Sequence, residues 1–199
     1  MTVNKVLSEL ARAGLILRRR KTGSVIKRQD TRTAILAIYD VADEVRALGL
    51  NYSFKILEQK QCKPAPQETA LNDFDPDQLI LSVTVVHLAD DEPFCLEERI
   101  INLASAPTAA DADFSQQTPG AWLLNHVPWT TGEHQISAET DNARIAKLLN
   151  VAKGSAVLVV QRQTWKQNKP VTRVRLNYPG HQHRLTADFT PLSGLRPTS

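Results

Sequence analysis

The sequence predicts an α+β protein, in which a short helix and a basic hairpin precede a body of five or six antiparallel strands with short helices. Segments rich in β-branched residues follow one another in pairs joined by tight turns. Apolar residues at helical spacing occupy only short stretches, and strands and helices do not alternate as they do in a parallel sheet. The 199 residues are enough for one or two domains with a buried core.

A helix and a hairpin are the first predicted elements. Leu7, Leu10 and Ala11 have helical spacing, and Gly14 provides a C-terminal stop. The segment 15–26 predicts two strands around a basic tip. Helix followed by basic hairpin is the order of a recognition helix and its wing in DNA-binding proteins.

Charge separates this N-terminal region from the rest of the chain. Residues 1–32 hold nine Lys and Arg against two acidic residues, a net +7, whereas the remainder holds 15 basic and 19 acidic residues, a net −4. A basic arm on an acidic body favours a polyanionic partner for the arm. The alternative is a solvated basic hairpin without a partner.

The remaining elements are predicted from periodicity and turn residues. They are, in order, a polar linker at 28–32, a helix over about 32–48 ended by Gly49, a strand around 52–61, and a Pro-rich loop from Lys63 to Pro76 with room for one helical turn. Strands Leu79–Leu88 and Phe94–Asn102 follow, joined at Asp90-Asp91, and then a mostly loop segment Ala104–Gln117, a short helix after Thr118-Pro119 and a strand His134–Ala138. The last elements are a helix capped by Asp141, strands 155–166 and 170–178 joined by Gln167-Asn168-Lys169, and a strand over about 183–190.

Several classes of protein do not fit. Cys62 and Cys95 lack CxxC spacing, and His181-x-His183 has no third ligand, so we expect no metal and no cofactor. No apolar run approaches the roughly 20 residues that span a bilayer, and no signal peptide is visible, so a cytoplasmic location without membrane contact is expected. Phosphate-loop, GxGxxG and HExxH motifs are absent from the sequence, and we expect no catalytic residues.

Several motifs resemble one family of regulators. Met1–Leu10 with Gly14-Leu15 resembles the recognition helix of GntR-type winged-helix repressors, and Thr22-Gly23-Ser24-Val25 resembles their wing tip. The body resembles the HutC branch, the histidine utilisation repressors, over nearly its whole length. The motifs that carry this are Ala42–Gly49, Val86-His87, Leu96–Arg99, Thr118-Pro119 and Glu133–Ala138.

This resemblance implies a domain plan and a function. Residues 1–28 would form a partial winged helix-turn-helix, 29–33 a linker, 34–192 a UTRA effector-binding domain related in fold to chorismate lyase, and 193–199 a tail. The implied protein is a homodimeric repressor that releases operator DNA when urocanate binds. Three alternatives remain open: a UTRA regulator whose effector is another small carboxylate or a sugar phosphate, an effector-binding subunit without autonomous DNA binding, and an enzyme acting on a small carboxylate.

Three features depart from the family pattern. The family's two leading helices would precede Met1, so we expect an N-terminally incomplete DNA reader. Lys21 stands where the wing usually has its first glycine. Tyr178 and His183 stand where members more often carry His and Tyr.

The expected DNA contacts lie in the helix and the wing. Side chains near the start of a recognition helix read the groove, and the wing contacts the backbone or the minor groove. The residues predicted for these roles are Thr2, Asn4, Lys5, Lys21, Thr22 and Gly23. The alternative is that this helix, without supporting helices, frays and contacts nothing.

The expected effector site lies in the sheet. Strand alternation places Cys95, Glu97, Arg99 and Ile101 on one face, where two charges need partners. Glu97 matches the family's ligand-contacting acid and is suited to accept an imidazole N–H, and Arg99 is suited to hold a carboxylate. The alternative is a mutual surface ion pair worth under about 1 kcal/mol.

Four further residues match pocket positions of the family. His87 stands on the preceding strand, where relatives that answer to sugar phosphates often carry Arg, and this argues against a phosphate ligand. The alternative for His87 is a partly buried histidine with satisfied hydrogen bonds. The other matches are Ser53, Thr118 and Tyr178. The tryptophans, Trp122, Trp129 and Trp165, are predicted to be core or dimer contacts.

Overall fold

The computed structural model describes residues 16–19, 23–26 and 40–185. Near the N-terminus, β1 (Ile16–Arg19) and β2 (Gly23–Ile26) pair antiparallel, with Ile16 opposite Ile26. The predicted hairpin is therefore present. Residues 40–184 belong to one compact unit, and the β1–β2 hairpin belongs to another.

Six antiparallel strands make up the larger unit. Their order across the sheet is β3-β4-β5-β8-β7-β6, which places β5 and β8 at the centre. The elements of this unit are α1 (Val41–Ala47), β3 (Tyr52–Cys62), α2 (Pro66–Asn72), β4 (Ile80–Ala89), β5 (Glu92–Asn102), a 3-10 helix (Pro107–Asp111), α3 (Pro119–His126), β6 (Thr131–Thr140), α4 (Ala143–Leu149), β7 (Ala156–Lys166) and β8 (Lys169–Pro179).

Two hairpin turns and one helix cap explain why these elements begin and end where they do. Asp90 and Asp91 both have positive φ, as does the pair Gln167-Asn168, and each pair closes a two-residue hairpin of the expected kind. Asp40 caps α1, because its carboxylate accepts the Ala42 N–H at 3.3 Å.

The two faces of the sheet are covered differently. On the front face, α1 packs over one apolar cluster, which includes Val41, Val45 and Leu176. A second front cluster packs beneath the segment from the 3-10 helix to Val127, which includes Trp122. On the back face, α4 packs against β5 and β7. The front face therefore has two separate covers, with a seam between them.

Three predicted elements differ from the structure, as does one predicted cap, because α4 is capped by Asn142, whose side chain accepts from Arg144 and Ile145, and not by Asp141. A helix running through residue 40 is wrong, because Asp40 has an extended backbone (ψ 137°) and caps a helix that begins at Val41. The segment Lys63 to Pro76, predicted as a loop with room for one helical turn, contains the seven-residue helix α2, with Pro66 at its first position. The predicted last strand is wrong at 183–185, which form no strand, and residues 186–190 lie outside the described residues.

Candidate functional site

A cleft of about 570 Å³, open mouth included, lies on the front face between α1 and α3. Its floor is provided by β5, β7 and β8, and one wall is apolar. The lining residues are Asp40, Val41, Glu97, Arg99, Gly120, Leu123, Leu124, Val127, Trp129, Arg162, Thr164, Val171, Thr172 and Leu176. The cleft thus joins buried charges below to an apolar and aromatic wall above.

A chain of buried polar groups runs into this cleft from β3 and β4. The Tyr52 hydroxyl lies 2.8 Å from His87 Nδ1, and His87 Nε2 lies 3.0 Å from Glu97 Oε2. Arg99 Nε donates to Glu97 Oε1 at 2.6 Å. Glu97 and His87 are 2% and 0% exposed, so the Glu97–Arg99 pair is a buried ion pair and the surface alternative is wrong.

Strand register explains this arrangement. Glu97 stands opposite Val85 on β4, and His87 stands opposite Cys95, so His87 and Glu97 meet diagonally on one face. Alternation along β5 brings Cys95, Glu97 and Arg99 to that face, as the sequence predicted.

The Glu97 carboxylate is held in its charged form. Burial alone would raise its pKa, but the charge of Arg99 and the hydrogen bonds from His87 and Arg99 outweigh burial and lower the pKa to about 2. Burial raises the pKa of the Tyr52 hydroxyl, and the charges of Asp40 and Glu97 raise it further, so this hydroxyl keeps its proton. With a neutral His87 ring, Nε2–H donates to Glu97 and Nδ1 accepts from Tyr52.

A second arginine enters the cleft from β7. Arg162 Nε donates to His134 Nε2 on β6 at 2.7 Å, and the two residues stand directly opposite each other. Burial lowers the pKa of Arg162, and the charge of Arg99 lowers it further. Arg99 and Arg162 both line the cleft, so two guanidinium groups face the same space.

Helix α3 approaches Arg99 closely at Gly120. A Cβ atom added at Gly120 would lie 3.0 Å from Arg99 Nη2, tighter than ordinary contact. Thr118 caps α3, because its hydroxyl accepts the Ala121 N–H at 3.2 Å. The predicted site residue Thr118 therefore supports the helix beside Arg99 and is not among the residues that line the cleft.

The structure places the other predicted ligand residues near, but not in, the lining. His87 lies behind Glu97. Tyr178 is buried under α1, where its hydroxyl donates to Glu44 Oε2 at 3.2 Å. Ser53 alternates with the front-face residues Tyr52 and Phe54, so its side chain faces away from the cleft. Their roles in ligand binding stay predictions.

The predicted DNA contacts fall mostly outside the described residues. This applies to Thr2, Asn4, Lys5, Lys21 and Thr22. Gly23 is the first residue of β2 and pairs with Arg19. These contacts stay predictions.

Within residues 40–185 no group of three or more His, Cys, Asp or Glu side chains is placed to hold a metal ion. None of the helices in the described part of the chain combines the length and apolar character required of a membrane-spanning segment.

Arg162, His134 and Tyr52 were not predicted as site residues. Arg162 has the same strand parity as Leu158 and Val160, which is the signal that identified Arg99. That signal is blurred in β7, because Val157 and Val159 make its other face apolar as well.

Comparison with known proteins identifies the family. The UTRA domain model matches residues 47–184. The histidine utilization repressor of Pseudomonas putida is 32% identical over 190 residues, which cover 96% of this chain and 77% of that protein. The corresponding repressor of Klebsiella aerogenes is 28% identical, with coverage of 95% and 78%.

Solved structures agree. The C-terminal domain of the histidine utilization repressor from Pseudomonas syringae pv. tomato superposes with a TM-score of 0.66 at 34% identity, and the match covers 70% of this chain and 99% of that one. PhnF from Mycobacterium smegmatis, at 18% identity and a TM-score of 0.68, shares the fold over 96% of this chain and 84% of its own. The named relatives are transcriptional repressors and not enzymes. The chain belongs to the UTRA domain family, within the histidine utilization repressor branch of the GntR-type transcriptional regulators.

Proposed function

We propose that this protein represses histidine utilisation genes and releases operator DNA when urocanate binds the cleft between α1 and α3. The observation that carries the effector assignment is the cleft itself, which presents a buried carboxylate and guanidinium groups below an apolar, aromatic wall. The relatives named histidine utilization repressor support the choice of target genes.

Urocanate matches this chemistry at both ends. It is a flat molecule with a carboxylate at one end, an imidazole at the other and a conjugated link between them. Arg99 uses Nε on Glu97 and keeps further N–H groups for an anion. Leu123, Val127 and the half-exposed Trp129 offer an apolar surface to a flat ring.

Glu97 is suited to the imidazole end. Its two oxygens each accept one hydrogen bond within the protein, from His87 and from Arg99. A carboxylate has about four lone-pair directions, so one ligand N–H can still be accepted. Because the carboxylate is already ordered by its two partners, binding a ligand N–H there requires little reorganisation.

Release of DNA would follow from linkage between two sites. If the effector prefers one arrangement of a homodimer and operator DNA prefers another, each ligand weakens binding of the other by the same factor. The basic N-terminal region is the proposed partner of the DNA, through the residues predicted above.

Isothermal titration calorimetry on the full chain tests the effector assignment, with histidine and glucosamine 6-phosphate as controls. Urocanate should bind, and the controls should bind weakly or not at all. In a parallel anisotropy titration, saturating urocanate should weaken binding to DNA from upstream of histidine utilisation genes. A preference for the sugar phosphate, or an operator affinity that urocanate leaves unchanged, would contradict the proposal.

A further inference from the structure

The floor strands of the cleft carry two guanidinium groups, Arg99 and Arg162, and one carboxylate, Glu97, while the other lining carboxylate, Asp40, lies in the α1 wall and caps that helix. Glu97 and Arg99 neutralise each other at 2.6 Å. Among the described residues, Arg162 donates a hydrogen bond from Nε to His134 Nε2. Among residues 40–185, no ion pair joins Arg162 to a carboxylate, although Glu44 and Glu97 are near enough to act on its charge.

An arginine in this position is costly for the protein alone. Arg162 is half-buried, and taking a guanidinium out of water without a counter-charge is unfavourable. The nearby Arg99 adds repulsion between like charges. Both costs fall if an anion lies between the two guanidinium groups.

We propose that Arg162 is a second anion-binding arginine of the cleft and that it holds the effector carboxylate together with Arg99. This inference rests on the proposed function for the identity of the effector, but its chemistry extends to any small carboxylate in this cleft. Arg99 donates Nε–H to Glu97 Oε1 and an Nη1–H to Thr172 Oγ1, whereas Arg162 donates only its Nε–H, to His134, among the described residues. Arg162 is therefore the arginine with more donors available to the ligand.

His134 is assigned as the positioning residue for Arg162. It accepts from Arg162 Nε, which leaves the terminal N–H groups of the guanidinium to the cleft. A ring nitrogen accepts only when it carries no proton, so this hydrogen bond requires a neutral His134.

Two adjacent guanidinium groups also explain how histidine would be rejected. Histidine carries an ammonium group on the carbon next to its carboxylate, and urocanate lacks it. A carboxylate bound between the two arginines would bring that ammonium close to both positive charges, which is unfavourable. Arg162 thus contributes to selectivity for urocanate, which has no ammonium group, over histidine, which has one.

Calorimetry with matched acid and ester ligands tests the inference. The ligands are urocanate, its methyl ester, cinnamate and histidine, and the proteins are the full chain, R162Q and R162K. R162Q should weaken urocanate binding by roughly ten- to hundredfold, the loss expected for one charged hydrogen bond, and leave ester binding unchanged. R162K should keep part of the preference for acid over ester. The preference for urocanate over histidine should shrink in R162Q.

The control arginine lies on the opposite face of the same sheet. Arg173 on β8 is also half-buried and bonds to the neutral Gln161. R173Q should leave all ligand affinities unchanged. For the positioning role, H134Q retains an acceptor and should keep the acid-over-ester preference, whereas H134L should lose part of it while the protein remains folded by thermal melting.

The outcomes separate this inference from the proposed function. Suppose that urocanate binds, and that R162Q reduces the affinities for acid and ester equally or leaves both unaffected. This result would overturn the shared anion site of Arg99 and Arg162 and leave the effector assignment standing. If cinnamate binds in a way that depends on Arg162 and urocanate does not bind, the shared anion site of Arg99 and Arg162 is supported and urocanate is refuted as the effector. If none of the three acids binds the full chain, both are refuted.

Discussion

Replacing Glu97 by Gln should destabilise the fold by about 3 kcal/mol at neutral pH. Glu97 accepts hydrogen bonds on both oxygens, from His87 and Arg99. A glutamine has one acceptor and one donor end, so one of the two contacts becomes donor against donor, and Arg99 loses its counter-charge. Removing one partner of a buried ion pair generally costs about 3–5 kcal/mol.

The pKa of Glu97 gives a similar magnitude. Folding lowers this pKa from 4.5 to about 2, which corresponds to about 3 kcal/mol in favour of the folded state at neutral pH. Since the folded-state pKa is the lower one, this stabilisation is complete above about pH 4.5 and is lost as the pH falls toward 2. E97Q lacks the titrating group, so the difference between the two proteins should shrink over the same range.

Urea unfolding followed by tryptophan fluorescence, at neutral pH and at steps down to the acid limit, measures both effects. For a chain of this length, about 3 kcal/mol also corresponds to a melting temperature lower by roughly 6–12 °C. The matched control is E139Q, because Glu139 pairs with Arg175 at 2.7 Å in a solvent-exposed setting and should change stability by under about 1 kcal/mol. A difference between the full chain and E97Q that does not vary with pH would refute this reasoning.

Three further substitutions, one of them paired with a control variant, test the site and its frame. G120A should weaken urocanate binding by about tenfold in calorimetry, because its Cβ would press on Arg99 Nη2. Its stability should stay equal or rise by up to about 1 kcal/mol, since alanine favours helix over glycine. Unchanged urocanate affinity would contradict this expectation. G180A should lower stability in urea unfolding by about 1–3 kcal/mol, because its Cβ would lie 2.7 Å from a backbone oxygen at the start of β7, whereas G132A, with 3.6 Å to its nearest neighbour, should cost less. Y52F should cost about 1–3 kcal/mol in the same assay, because it leaves a buried imidazole nitrogen on β4 without its donor; no loss would show that this hydrogen bond contributes nothing.

Much of the sheet could be predicted from the sequence, because its signals are local. Alternation along β5 and the two-residue turns at Asp90-Asp91 and Gln167-Asn168 depend on neighbouring residues alone. The helix α2 was predicted only as one helical turn within a loop, because its apolar content is low and the segment is rich in proline. In the structure Pro66 occupies the first helical position, where a missing N–H costs nothing.

The site was predicted only in part, because its geometry depends on pairings distant in sequence. Glu97 and Arg99 could be identified from one strand. The position of His87 behind the carboxylate depends on the β4–β5 register, and the approach of Arg162 depends on β7 lying two strands from β5. Neither the role of Gly120 nor the cleft itself follows from local patterns, since the cleft is lined by residues of α1, of α3 and of the strands between them, which are distant in sequence.

The seam between the two front covers has a consequence for how a ligand enters. The two covers that bound the cleft pack on the sheet only through side chains, each over its own apolar cluster. The floor of the cleft is fixed by backbone hydrogen bonds between the central strands. The covers can therefore separate locally without any strand leaving the sheet. Amide hydrogens of α1 and α3 should exchange with deuterium by such partial opening, well before those of β5 and β8, and a ligand that bridges the seam should slow exchange in both helices together.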